Sequence, residues 1–138
     1  GLIYNHVLQL HASNYTPVID SKSIPTGEIA PVEGTPMDFT KAKEIGKEID
    51  ADFEQLKLTG GYDHNFVLDK EEGKMDWMAK VICPQTGISM EAIYKKRNGF
   101  CLESQYCPNA VNDPHFAKPF LKAGEKYDTR TVFRFVVE

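Results

Sequence analysis

The segment Asp76–Tyr94 reads DWMAKVICPQTGISMEAIY, and it carries the clearest evidence of fold class in this chain of 138 residues. In its first part, one strand face would hold Trp77, Ala79, Val81 and Cys83, and the other Met78 and Ile82. The residues Pro84–Gly87 have the composition of a tight turn, after which an apolar run returns. We therefore predict an antiparallel hairpin of strands Asp76–Cys83 and Ile88–Tyr94.

Other β-rich runs flank this hairpin. Tyr4–His11 alternates, and Phe100–Tyr106 and Thr131–Val137 are rich in β-branched and aromatic residues. The segment Tyr15–Phe39 is interrupted by prolines and glycines, which predicts loops with short edge strands. The sequence therefore predicts a mainly antiparallel all-β fold, part of a β-sandwich, with residues 1–138 as a single domain.

One short helix is predicted over Lys41–Ile49. Thr40 is its candidate N-cap, and Ala42, Ile45 and Ile49 form a weak apolar stripe. Gly46 inside it costs about 1 kcal/mol relative to alanine, so we expect the helix to be short.

The composition argues against nucleic acids and membranes as partners and indicates the cellular compartment. A net charge of −4 argues against a nucleic-acid surface. No stretch approaches the roughly 18 apolar residues of a membrane span, and the first residues lack a signal-peptide pattern. The three cysteines (Cys83, Cys101 and Cys107) lack CxxC spacing. We interpret them as free thiols in a reducing compartment and predict a cytoplasmic protein.

No metal site is predicted. His6 and His11 have a spacing seen in zinc sites, but residues five apart on a strand point to opposite faces. The two imidazoles therefore could not share one ion.

Glu103 is the first candidate for chemistry. On a strand Phe100–Tyr106 it shares a face with Cys101 and Gln105, while apolar side chains occupy the other face. A partly desolvated carboxylate in a cleft would have a raised pKa and could act as a general base. Spacing alone equally fits an exposed glutamate on a solvated sheet face, and that is the commoner situation.

The segment Gly60–Phe66, which reads GGYDHNF, is the second candidate. Two glycines allow a turn with positive φ, and Asp63 and His64 follow it. The segment is either a tight turn capped by Asp63 or a loop that directs both side chains at a polyol. Trp77 and the tyrosines are candidate aromatic platforms for such a ligand.

Several motifs together resemble the galactose mutarotase (aldose 1-epimerase) family. They are IPTGEIAPVEGTPMDF at 24–39, GYDHNFVL at 61–68, GFCLESQYCPNAVNDP at 99–114, and the runs 119–127 and 131–135. The resemblance covers almost the whole chain and corresponds to the C-terminal portion of a family member. It implies a galactose mutarotase-like supersandwich in a partial or truncated form, with neither metal nor cofactor.

The resemblance also implies a reaction and residue roles. Family members interconvert the α and β anomers of free aldohexoses such as galactose and glucose. Glu103 matches the base that takes the proton of the C1 hydroxyl, and Asp63 matches a residue that holds sugar hydroxyls. His64 and Gln105 are further candidates for substrate binding.

The chain also departs from the family pattern. The family's acid histidine lies in an N-terminal half without a counterpart here, and none of the chain's four histidines matches it. A long family segment is missing between Tyr94 and Gly99. The chain is thus an epimerase, intact or as one part, or a truncated, catalytically incompetent carbohydrate-binding or interaction domain. A weaker alternative is a glycoside-processing domain with Glu91 as a second carboxylate.

Exposed strand edges on such a part favour self-association or pairing with an N-terminal half.

Overall fold

The computed structural model describes residues 2–71, 74–94, 112, 114–115, 120, 122–126 and 131–137. These residues form antiparallel strands and one short α-helix, so the predicted all-β class is confirmed. The elements in chain order are β1 (Val7–Leu10), β2 (Asn14–Thr16), β3 (Ala30–Pro31), β4 (Lys43–Glu44), a 3-10 helix (Ile45–Lys47), α1 (Glu54–Thr59), β5 (Asn65–Val67), β6 (Asp76–Cys83), β7 (Ile88–Tyr94) and β8 (Thr131–Val137).

The predicted hairpin is the centre of a five-stranded sheet with the order β4-β1-β6-β7-β8. Its strands have the predicted bounds, and Cys83 pairs with Ile88. The turn closes through a hydrogen bond of 3.0 Å from Gly87 N–H to Cys83 C=O, with Gly87 at φ 68°. The turn composition in the sequence therefore predicts the turn that joins these two strands of the sheet.

A bulge in β6 alters the predicted alternation. Trp77 pairs with Ile93 and Ala79 with Ala92, so Met78 is an additional residue on this strand. Met78 and Ala79 are each only 1% exposed. Strict alternation was therefore wrong at this point, because the bulge lets two consecutive side chains be buried.

A smaller sheet has the order β3-β2-β5, with Tyr15 opposite Phe66. One core cluster contains side chains from both sheets, which holds them together. Its buried members are Leu10, Ala12, Tyr15, Val32, Met37, Phe39, Leu56, Phe66, Met78, Ala79 and Ala92. Fully burying one of the larger side chains among these, such as Leu10, Met37 or Phe39, contributes roughly 1.5–3 kcal/mol.

The helix predicted over Lys41–Ile49 is wrong. Its residues form the short strand β4 and the 3-10 helix Ile45–Lys47. The N–H groups of Ile45 and Gly46 donate to His6 and Tyr4, over 2.9 and 2.7 Å, rather than to a preceding helical turn. A Cβ at Gly46 would lie 2.6 Å from the Cβ of Tyr4, so glycine is needed for this close approach.

The α-helix α1 was not predicted. It has six residues, and its N-cap residue, Phe53, makes no side-chain capping hydrogen bond. It ends at Gly60, which has a left-handed conformation with φ 69°. Burial of Gln55 and Leu56 anchors the helix, because so short a helix is not stable by itself.

Three further predictions concern strands. The first strand is shorter than Tyr4–His11, since β1 spans only Val7–Leu10, whereas β8 has the predicted bounds. The run Phe100–Tyr106 lies outside the described residues.

Within the part of the chain that the structure describes, no helix has the length and apolarity to cross a membrane.

Candidate functional site

A cavity of about 750 Å³ lies where the two sheets meet the Gly60–His64 loop. This volume is typical of small-molecule sites. Most of its lining is apolar, with polar groups concentrated near the loop. The lining side chains and glycines are Ile3, His6, Leu8, Leu10, Thr16, Val18, Ser23, Pro25, Phe39, Ile45, Ile49, Thr59, Gly60, Gly61, Tyr62, Asp63, His64, Asn65, Phe66, Val81 and Met90.

The loop reaches the cavity through two glycines with positive φ. Gly60 closes α1, and Gly61 follows at φ 141°, a conformation that side chains rarely adopt. Gly61 N–H donates to Leu56 C=O over 3.0 Å, which ties the loop to the helix. The chain then enters β5, so Asp63 and His64 lie between a helix end and a strand.

Asp63 lies exposed at the edge of this cavity. Its Oδ2 accepts a hydrogen bond of 2.7 Å from Ser23 Oγ. Ser23 has a left-handed φ of 56° in a turn where its N–H donates to Asp20 C=O. Ser23, which lies 40 residues away in sequence, thus restrains the Asp63 carboxylate. The rest of this carboxylate stays accessible to a ligand.

His64 is buried in the cavity wall, with 7% of its surface exposed. Its Nε2 lies 3.2 Å from Gln55 Oε1, and its ring meets the ring of Tyr15 edge-on at 5.8 Å. Burial lowers the pKa of His64, against the opposing effect of the Asp63 carboxylate. A neutral imidazole beside an exposed carboxylate is therefore the polar centre of the loop.

Tyr62 and two phenylalanines supply the aromatic lining. The rings of Phe39 and Tyr62 are edge-to-face at 4.9 Å, and Phe66 is 6.4 Å from Phe39. Burial, with a smaller effect of Glu48, raises the pKa of Tyr62 to about 12, so its phenol stays neutral. Trp77, predicted as a platform, packs at 5.6 Å from His11 instead and is not among the cavity-lining residues named above.

The structure brings two of the four predicted site residues together. Asp63 and His64 both line the cavity, whereas Glu103 and Gln105 lie outside the described residues. Glu91, the candidate second carboxylate, pairs with Lys80 across the β6–β7 hairpin at 3.8 Å. Glu91 is not among the residues that line the cavity with Asp63.

The two N-terminal histidines have different surroundings. His6 lines the cavity, while His11 Nδ1 lies 3.1 Å from the backbone oxygen of Trp77. Among the described residues, no group of three or more His, Cys, Asp or Glu side chains could hold a metal ion.

Three polar residues of the site were missed by the sequence reasoning, namely Ser23, Gln55 and Thr16. Ser23 and Thr16 line the cavity, and Gln55 contacts His64 from α1. Ser23 donates to Asp63, 40 residues away, and Gln55 contacts His64, nine residues away; no spacing rule indicates either contact. The helix end at Gly60 was a signal that could have drawn attention to Gln55.

Comparison with known proteins identifies relatives of this chain. The sequence model described as aldose 1-epimerase matches residues 1–134. The chain belongs to the aldose 1-epimerase family. It is 38% identical to a galactose mutarotase of Sus scrofa over 159 residues, which covers 98% of this chain and 45% of that protein. It is 33% identical to an aldose 1-epimerase of Escherichia coli K12, covering 99% of the chain and 46% of the relative.

Solved structures of the family share the fold. A GalM/aldose epimerase homologue from C. elegans superposes with a TM-score of 0.69 at 20% identity, over 98% of this chain and 46% of that one. A galactose 1-epimerase from Lactobacillus acidophilus gives the same TM-score at 26% identity, over 97% and 44%. The predicted galactose mutarotase-like fold is confirmed.

The chain spans less than half the length of the curated relatives it matches. The match to the Sus scrofa protein extends over 159 residues although this chain has 138. The relative therefore has residues within the matched region that this chain lacks. This agrees with the expected internal gap, whose predicted position falls on residues outside the described part.

Proposed function

We propose that this chain carries the base and a sugar-holding carboxylate of an aldose 1-epimerase that interconverts the anomers of free aldohexoses, with galactose and glucose as substrates. The placement of Asp63 at the edge of a cavity of ligand size is the observation that supports this best. A carboxylate in such a place can accept hydrogen bonds from two sugar hydroxyls.

In the proposed reaction, Glu103 takes the proton of the C1 hydroxyl. The bond between C1 and the ring oxygen breaks as the carbonyl forms at C1, and an acid protonates the ring oxygen. Rotation of the carbonyl end and reclosure on its other face give the opposite anomer, with both protons returned. The acid is proposed to come from the N-terminal part of the family's sandwich.

Polarimetry of freshly dissolved α-galactose tests the catalytic proposal. The protein, alone or mixed with the part of the Sus scrofa relative that lies outside the match, should accelerate mutarotation. Glu103→Gln should lower the rate by about 10²–10⁴-fold, the usual contribution of a general base. Glu33→Gln is the matched control, because Glu33 is exposed and lies away from the cavity. Spontaneous rates in both samples would refute catalysis.

The second candidate is a carbohydrate-binding domain without activity, for which the cavity with the Asp63 carboxylate and the buried His64 in its wall is the supporting observation. It predicts galactose binding with an unchanged mutarotation rate. Asp63→Asn should weaken binding about 10- to 100-fold, as expected for a hydrogen bond to a charged group. Asp50→Asn, at an exposed position that does not line the cavity, should leave it unchanged. Calorimetric titration separates the two candidates, because only the epimerase also changes the rate.

A cytoplasmic location is also proposed. The free thiol of Cys83, on β6, supports a reducing compartment. Fractionation of cells expressing a tagged copy tests this, and recovery outside the soluble cytosolic fraction would contradict it.

A further inference from the structure

The side-chain amide of Gln55 is held in one orientation by the backbone of Val18. The N–H of Val18 donates to Gln55 Oε1 over 2.7 Å, and Gln55 Nε2 donates to the Val18 carbonyl over 3.2 Å. Exchanging the amide oxygen and nitrogen would place donor against donor and acceptor against acceptor. Because Gln55 is buried, water does not provide other partners. Its oxygen therefore has a fixed place.

This oxygen determines which nitrogen of His64 carries the proton. Gln55 Oε1 lies 3.2 Å from His64 Nε2, and an amide oxygen can only accept a hydrogen bond. Nε2 must therefore be the protonated nitrogen of a neutral ring. Burial of the imidazole disfavours a second proton. Nδ1 consequently keeps its lone pair and can only accept.

The wall around His64 contains unsatisfied polar atoms. Within the described part of the chain, His64 Nδ1 and Thr16 Oγ are shielded from water and have no hydrogen-bond partner. Thr16 lies close to His64, because it pairs with the next residue, Asn65, across β2 and β5. Both side chains line the cavity. A buried acceptor without a donor is unfavourable, so this wall favours a ligand that supplies hydroxyl donors.

We propose that Gln55 is a positioning residue: it holds His64 as the Nε2–H tautomer, so that Nδ1 accepts a hydrogen bond from a hydroxyl of the bound hexose. The inference rests on the proposed function, since the hexose is the ligand proposed for this cavity. Because Nδ1 is covered in the free protein, binding includes a side-chain movement at the wall. Thr16 Oγ can donate to or accept from a neighbouring hydroxyl.

The tautomer can be measured without any sugar. Long-range proton–nitrogen NMR of the ¹⁵N-labelled wild-type protein distinguishes protonated from unprotonated ring nitrogens. His64 should show a protonated Nε2 and an unprotonated Nδ1 at pH 7. A ring protonated on Nδ1 alone, or on both nitrogens, would overturn the proposal. This arm needs no variant and is independent of the proposed enzymatic activity.

Substitution of Gln55 tests its role in binding. Gln55→Glu keeps an acceptor beside His64 but adds a negative charge, which favours a doubly protonated ring in which Nδ1 becomes a donor. Galactose affinity of this variant should fall about five- to tenfold between pH 8 and pH 5.5, the usual effect of one hydrogen bond. Wild-type affinity should stay constant over that range. Other titratable groups acting on His64 are Asp63 and Tyr15, and they are common to both proteins.

Two further variants separate positioning from general stabilisation. Gln55→Met removes the acceptor, so both tautomers should appear and galactose binding should weaken at every pH. Gln85→Met, in the exposed β6–β7 turn, should change neither. Equal pH profiles of the wild type and Gln55→Glu would overturn the role of Gln55. Absence of galactose binding to the wild type would overturn both the assignment of a hexose as the ligand and the proposed function. The tautomer measurement would still test whether Gln55 positions His64.

Discussion

Burial of a neutral His64 makes a specific prediction about stability and pH. A histidine in an unfolded chain has a pKa of about 6.5. In the folded protein burial lowers the pKa of His64 below that value. Between the two pKa values the unfolded state binds more protons than the folded state, so stability falls as the pH is lowered. The contribution is fully present above the unfolded pKa and is lost progressively below it.

The size of this effect has an upper limit set by the unfolded state. If His64 stays neutral in the folded protein down to pH 5.5, protonation of the unfolded chain lowers the free energy of unfolding by up to about 1.4 kcal/mol between pH 8 and pH 5.5. This is a measurable part of the stability of a small domain, which is typically about 5–15 kcal/mol.

Urea unfolding at both pH values tests this, with the fluorescence of Trp77, the single tryptophan, as the probe. The pH-dependent loss should be smaller in His64→Gln by up to the amount given above, because that variant lacks the titrating ring. An identical pH dependence in the wild type and His64→Gln would refute the reasoning, as would a wild type that becomes more stable at low pH.

Three other substitutions test the packing and the loop. Phe39→Ala should cost about 3–5 kcal/mol and leave much of the protein unfolded by circular dichroism, because this ring is 1% exposed in the core. Gly61→Ala should cost about 1–3 kcal/mol in urea unfolding, because φ at this position is 141°. Ser23→Ala should weaken galactose binding severalfold in calorimetric titration, since it removes the hydrogen bond that restrains Asp63. Unchanged values in any of these measurements would contradict the corresponding contact.

The β6–β7 hairpin shows where sequence reasoning succeeds. Its strand bounds and its turn were predictable because local alternation and turn composition specify both. The bulge at Met78 was not, because the alternation of side chains contains no sign of an inserted residue. Packing against both sheets decides that Met78 and Ala79 are buried together.

The predicted helix over Lys41–Ile49 was wrong and the helix α1 was not predicted, for related reasons. Residues 41–49 have a weak apolar stripe, but Gly46 lies against Tyr4, and that contact directs its N–H away from a helical pattern. In α1 most residues are good helix formers, but six residues are too few for a stable helix by itself, so burial of Gln55 and Leu56 determines it. In both places tertiary contacts, and not local propensity alone, decide whether a helix forms.

The sequence by itself determined the fold class, the family and the candidate residues Asp63 and His64, because these depend on local patterns and on motifs that are contiguous in the chain. Glu103 and Gln105 remain predictions on the same basis. Only the tertiary structure decided that Ser23 restrains Asp63 and that Gln55 orients His64, across separations of 40 and 9 residues. Hydrogen bonds of this kind depend on how helix, loop and strand pack, and no periodicity in the sequence encodes them.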